Sequence, residues 1–243
     1  MLVIRDLQKH YKGTEKGISG VSLQVEAGDI YAFIGHNGAG KTTLLKAITG
    51  IHDFEKGEVL IDGIDLKKNP LEVKKRIAYI PDNPDVYEFM TGIQYLNFIA
   101  DVFEVSAKDR EERIRKYADG FELTDSLGDL ISAYSHGMKQ KLVLISALIH
   151  EPKLLIMDEP FVGLDPKAAF LLKGYMAELT ARGGAIFFST HVLDVAEKLC
   201  NKVAIVREGR LVTSGTMEET LQGKTSLEEL FMETVENKES SEV

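Results

Sequence analysis

The sequence predicts an α/β fold: a core parallel sheet around a glycine-rich loop, an antiparallel β flank and an inserted α-helical subdomain. Three observations carry this. The run Gly35-His36-Asn37-Gly38-Ala39-Gly40-Lys41-Thr42 lies between a short apolar strand, residues 30–34, and an amphipathic helix, residues 43–49. Two apolar runs of the buried parallel-strand kind, 154–157 and 185–188, flank a helix over 166–181 that opens on a proline. Between residues 83 and 152 strand signals stop and helical periodicity takes over.

Each remaining element follows in order. Leu2-Val3-Ile4 and residues 21–25 read as strands, and residues 57–61 add another before an Asp62-Gly63 turn. Together they form a small antiparallel sheet beside the core. Arg76-Ile77-Ala78-Tyr79-Ile80 is a strand that Pro81 ends. The gap that follows, about seventy residues, is long for one sheet. Within it Ile93, Leu96, Ile99, Ala100 and Phe103 fall at helical spacing. Ser106-Ala107-Lys108-Asp109 resembles a capping box opening a charged helix that runs to Ala118, and residues 137–149 form another helix. Residues 203–206 and 211–212 finish the sheet around a Glu208-Gly209 turn. The chain thus reads as one domain, 1–243. A core with its flank takes 1–82 and 153–222, a helical insertion takes 83–152, and 223–243 hold a short helix and an acidic, frayed tail.

Composition narrows the function. Apolar residues make up 44% and charged residues 28%, as in ordinary globular proteins, and the net charge of −9 argues against a bulk nucleic-acid-binding surface. The single cysteine, Cys200, excludes an internal disulfide framework, suits a reducing cytosol and reads as a small apolar residue of a helix. No basic segment leads into a long apolar run, so no secretory signal is expected. No stretch reaches the ~20 apolar residues needed to span a bilayer. Any membrane role must be borrowed from a partner.

The glycine run matches G-x-x-x-x-G-K-[ST], the phosphate-binding loop of P-loop NTPases. Glycines let successive N–H groups turn inward onto phosphate oxygens. Lys41 supplies a point charge for the terminal phosphates, the Thr42 hydroxyl can ligate Mg²⁺, and the following helix aims its positive end at the anion. Residues 154–157 end in Asp158-Glu159. A buried strand that ends in an acid puts it at the sheet edge where the phosphate loop opens. Asp158 is the expected Mg²⁺ ligand and Glu159 the base that accepts a proton from an attacking water. His191 follows the next strand at the same edge, within hydrogen-bond range of a γ-phosphate.

These pieces, in this order, resemble the ATP-binding cassette family of ATPases over nearly the whole chain. Tyr134-Ser135-His136-Gly137-Met138-Lys139-Gln140 resembles the family's signature motif in a diverged form. The resemblance implies that Ser135, Gly137 and the helix beginning there cap the nucleotide of a second cassette. It also implies that Tyr11 stacks on adenine, that Asp165 in Gly163-Leu164-Asp165 contacts the opposite site, and that Gly35, Asn37, Gly38, Gly40, Lys41, Thr42 and Thr43 bind phosphate.

Two departures stand out. Asp82, in Pro81-Asp82-Asn83-Pro84, occupies the place of a glutamine that reaches Mg²⁺ and senses the membrane subunit. His136 and Met138 replace a signature glycine and glutamine. Both departures, and the short helix over 226–235, look like single-cassette ATPases of bacterial exporters.

The implied activity is Mg²⁺-dependent ATP hydrolysis by a cassette dimer, homo- or heteromeric, that drives transport through a separate permease. That activity places the chain in the cytoplasm at the inner face of the membrane, with no nucleic-acid partner. A DNA-repair cassette would need a long coiled coil between its halves, and a translation-type cassette two units and a basic linker. Intact Lys41, Asp158, Glu159 and His191 argue against a regulatory, non-catalytic cassette, though the altered signature motif keeps that alternative, like a soluble non-transport ATPase, open.

Overall fold

The computed structural model describes residues 1–236 other than Lys12, Thr14, Glu15 and Gln222. The tail expected to fray, 237–243, lies outside the described residues. The chain runs β1 (Leu2–His10), β2 (Gly17–Val25), β3 (Ile30–Ile34), α1 (Lys41–Ile48), β4 (Lys56–Ile61), β5 (Ile64–Asp65), α2 (Pro70–Lys74) and β6 (Ile77–Ile80). Helices α3 (Gly92–Val102), α4 (Ala107–Gly120) and α5 (His136–Leu148) follow. The chain then returns to β7 (Leu154–Asp158), α6 (Pro166–Ala181), β8 (Ala185–Thr190), α7 (Leu193–Leu199), β9 (Lys202–Arg207) and β10 (Arg210–Thr216). Helices α8 (Met217–Leu221) and α9 (Leu227–Glu236) close the described chain.

Two sheets result. One is antiparallel with order β2-β1-β4-β5. The other has order β10-β9-β3-β8-β7-β6, parallel except for the edge strand β10. The unbroken apolar runs explain the second sheet. β7 and β8 are buried at every position, as strands covered on both faces must be, whereas the edge strand β10 alternates.

One face packs on the helices between β6 and β7. A single apolar cluster runs from Ile34, Met157 and Phe188 into Leu96, Tyr117 and Leu144, so these helices share the core of the sheet. On the other face Phe33 and Phe187 meet Leu44 and Leu45 of α1, and Ile4 and Val59 of the antiparallel sheet.

Local signals set the helix starts. Ser135 Oγ accepts the Met138 N–H at 3.3 Å and starts α5. At α4 the Ser106 hydroxyl accepts the Asp109 N–H, but the Asp109 carboxylate accepts from that same hydroxyl at 2.8 Å and does not reach back to the backbone. The capping box expected there is half formed. A complete one opens α3, where Thr91 Oγ1 accepts the Gln94 N–H at 3.3 Å and Gln94 Oε1 accepts the Thr91 N–H at 2.9 Å. Helix α1 begins two residues before the expected start because the glycine loop feeds straight into it. Cys200 is buried at the end of α7, and burial pushes its thiol far above the usual range, which fits an inert apolar role.

His150, just after α5, stacks on Phe103 with ring centroids 3.7 Å apart, and burial pushes its pKa down to about 4. Between that value and the ordinary one near 6.5 the unfolded chain holds a proton that the folded chain refuses, so stability falls as pH drops through this window. The full loss is about 3 kcal/mol. Urea unfolding at pH 7 and pH 4 should show a shallower pH dependence for His150→Leu than for the wild type; equal slopes would mean that the folded state takes up the proton.

Candidate functional site

The site is built where parallel strands end level. Ile34 pairs with Thr190 and Asp158 with Ser189, so the loop after β3, the carboxylates at the end of β7 and the residue after β8 reach one edge together. Gly38 (φ 82°) and Gly40 (φ 104°) take left-handed conformations that turn the loop. A Cβ on Gly35 would lie 2.7 Å from the Val206 carbonyl oxygen, and one on Gly40 2.8 Å from that of Gly17. The loop is therefore laid directly on backbone, and only glycine fits. It opens α1, whose first N–H groups and positive dipole end face the same cleft. Tyr11, Asn37, Gly38, Gly40, Lys41, Thr42, Thr43, Asp82, Asp158 and Glu159 are brought to this cleft of about 270 Å³.

The charged groups are held firmly. Lys41, 6% exposed, donates to the Gly35 carbonyl at 2.7 Å and lies 3.2 Å from Glu159 Oε1. The same Glu159 oxygen lies 3.0 Å from His191 Nδ1. It sits in ion-pair range of both groups without a well-aligned hydrogen bond to either. Glu159 Oε2 accepts the His191 N–H at 3.3 Å. Glu159 itself has φ 49°, a strained conformation for a side chain of its size. Asp158 is buried. Its Oδ2 accepts from the Thr42 hydroxyl at 2.6 Å and its Oδ1 from the Ser189 hydroxyl. A hydroxyl and a carboxylate so placed are the hard oxygen donors that a magnesium ion takes, so Thr42 and Asp158 fit such an ion. The glycine N–H groups and Lys41 fit the phosphates.

Other expected residues lie farther out. The Tyr11 hydroxyl is 3.4 Å from Thr43 Oγ1, and its ring meets His52 edge-on at 6.1 Å. Asp82 borders both the cleft and a neighbouring groove lined by Lys46, Pro84, Asp85 and Glu88. Burial, then the Asp158 and Asp82 carboxylates, push the Tyr79 phenol above its usual range. Ser135, Gly137 and Asp165 do not line this cleft. Asp165 caps α6 by accepting the Ala168 N–H at 2.8 Å, and its other oxygen pairs with Lys141 at 2.7 Å. The Lys141 ammonium holds its carboxyl below the usual range.

Four residues that complete the site were not singled out from sequence. Lys16, Gly17 and His36 line the cleft, and Ser189 braces Asp158. Ser189 also accepts the Glu159 N–H at 3.1 Å. A serine at a strand end carries no sequence signal for this. Its partners follow from strand pairing.

Inward N–H groups, a hydroxyl–carboxylate pair and a shielded lysine at level strand ends define a P-loop nucleotide-binding protein. The ABC transporter family profile matches residues 18–162, and the chain belongs to that family. It is 37% identical over 229 residues to an uncharacterized ABC transporter ATP-binding protein of Nostoc sp., covering 91% of this chain and 68% of the relative. It is 32% identical to the SkfA peptide export ATP-binding protein SkfE of Bacillus subtilis, with 87% of each chain covered. A solved ATP-binding subunit of an ABC transporter superposes with a TM-score of 0.92 at 35% identity, over 96% of this chain and 98% of that one.

Replacing Ser189 by alanine leaves a buried Asp158 carboxylate oxygen short of a partner, while the Glu159 N–H keeps its bond to the residue 189 carbonyl. The expected destabilisation is about 1–3 kcal/mol. Urea denaturation measures it, and an unchanged midpoint would show that water replaces the hydroxyl.

Proposed function

We propose that this chain is an ATP-hydrolysing subunit that closes with a second cassette around ATP and drives transport, in the export direction, through a separate permease. The observation that carries the catalytic part is Glu159, held between Lys41 and His191 at the mouth of the phosphate loop. The loop N–H groups and Lys41 bind the phosphates, and Lys41 offsets charge as the bond to the terminal phosphate breaks. Glu159 accepts the proton of the attacking water, and His191 orients the Glu159 carboxylate. Thr42 and Asp158 would hold the Mg²⁺, which would neutralise phosphate charge. Tyr11 would stack on the adenine, and Asp82 would help to hold the ion through water.

The dimer reading rests on Ser135 and Gly137. They stand at the N-terminus of α5, outside the cleft of their own chain, where an N–H cluster can meet a phosphate held by another copy. Transport through a separate membrane protein is supported by membership in the ABC transporter family and by the absence, among the described residues, of any helix long and apolar enough to cross a membrane. An exposed aromatic patch supports docking. Tyr87 is 50% and Phe89 79% exposed, and Tyr87 packs its ring on Phe89, Tyr95 and Phe98. Such a surface suits a short apolar helix of the permease. The export direction follows SkfE and the two sequence departures.

Glu159→Gln keeps the shape of the side chain but removes the proton acceptor. Nucleotide affinity should stay within about twofold while turnover falls by about a hundredfold or more. An ATP-bound dimer should then accumulate on size-exclusion chromatography. Wild-type turnover in this variant would remove Glu159 as the base.

For docking, Tyr87→Ala with Phe89→Ala should leave melting temperature and ATP binding near wild type, since both side chains are at least half exposed. Co-purification with the permease should be lost. Full assembly and transport by this double variant would remove the patch as the docking site.

A further inference from the structure

The base is held from an unexpected direction. The Glu159 N–H donates to the Ser189 carbonyl at 3.2 Å, and the Glu159 carbonyl accepts the Val162 N–H at 3.1 Å. Val162 in turn offers its carbonyl to the Gln140 side-chain amide at 2.6 Å. Gln140 belongs to α5 and is 6% exposed. One residue on, Lys141 pairs with Asp165 at 2.7 Å. One turn earlier, the His136 ring lies over Gly163, where a Cβ would meet ring carbon Cδ2 at 3.5 Å. Three residues of α5, at positions i, i+4 and i+5, therefore grip residues 162, 163 and 165, the loop that leaves Glu159.

Phe161 and Leu164 anchor that loop on the core and Asp165 caps α6, but its backbone between them is held by α5. Val162, Gly163 and Asp165 are exposed, and Gly163 has φ 80°. The Gln140 amide is oriented by its environment. Its NH₂ end must face the Val162 carbonyl, because the opposite orientation would set two acceptors 2.6 Å apart. Its Oε1 is buried without a partner. A half-satisfied buried amide is costly, and a leucine would pack there without that cost. What leucine lacks is the donor to Val162.

We propose that Gln140 and Lys141 are positioning residues that fix the Glu159 carboxylate from the helix that Ser135 caps. A displacement of α5 then moves the loop and withdraws the base, so turnover is linked to the position of the helical insertion. The inference rests on the reading of Glu159 as the base. Lys141 also occupies the oxygen of Asp165 that does not cap α6, so Asp165 meets a second cassette only by sharing this ion pair.

The test uses the full chain and four variants: Gln140→Leu, Lys141→Met, Lys141→Arg, and Gln140→Leu combined with Glu159→Gln. Gln140→Leu and Lys141→Met should lower kcat by about tenfold to a hundredfold, the loss expected from a misplaced catalytic group. Their KM and melting temperature should stay near wild type, and Lys141→Arg should keep most of the turnover. The combined variant should be no slower than Glu159→Gln alone, because groups acting through one another are not additive. Losses that multiply in the combined variant, or unchanged kcat in Lys141→Met, would overturn the proposal. If Gln140→Leu fails to fold, Lys141→Met and Lys141→Arg decide it. Full activity in Glu159→Gln would instead overturn the assignment of the base itself, a separate result.

Discussion

The pairing of β7 with β8, in parallel and with Asp158 opposite Ser189, is the constraint on which the site depends. It brings the Ser189 hydroxyl to the Asp158 carboxylate and sets the Ser189 carbonyl against the Glu159 N–H. With β3 on the other side of β8, the phosphate loop starts at the same level, and Thr42 completes the second oxygen of Asp158. A slip of one residue in either ladder would turn every side chain of the strand to the opposite face and separate Lys41 from Glu159. The buried apolar runs of these strands forbid the slip, because it would exchange the two sheet faces that pack against different layers.

That same packing joins the helical insertion to the sheet that carries the site. One apolar cluster is continuous from the sheet through α3, α4 and α5, and polar contacts concentrate where α5 passes the loop after Glu159. The diverged residue His136 lies in this seam, against Gly163. A larger residue in place of a glycine is thus accommodated on the near side by the loop of its own chain. Asp82 is placed differently. It borders both the cleft and the groove that Val86 and Glu88 line next to Tyr87.

Around the rim, ion pairs tie the insertion to the core away from the nucleotide cleft. Lys116 of α4 pairs with Glu178 of α6, and Arg182 pairs with Glu178 and also with Glu151, which Arg113 of α4 holds within the insertion. The Tyr117 and Tyr175 rings meet edge-on beneath them at 5.0 Å. Exposed pairs of this kind add little individually, and the buried aromatic contact is the firmer link.

Much of this was legible in the sequence because its cause is local. Glycine spacing dictates the phosphate loop, unbroken apolar runs dictate buried parallel strands, and a strand that ends in Asp158-Glu159 puts carboxylates at the ligand edge. The Thr91–Gln94 box is legible too, as a threonine followed three residues later by glutamine, a fuller signal than Ser106–Asp109. The rest was decided by tertiary structure alone. Ser189 as the brace of Asp158, Gly17 as the wall behind Gly40, and Lys141 as the partner of Asp165 join residues that are far apart in the chain. Sequence patterns specify which face of an element is buried, but not which element covers it. Strand order and helix placement make that choice, because they minimise exposed apolar surface over the whole molecule at once.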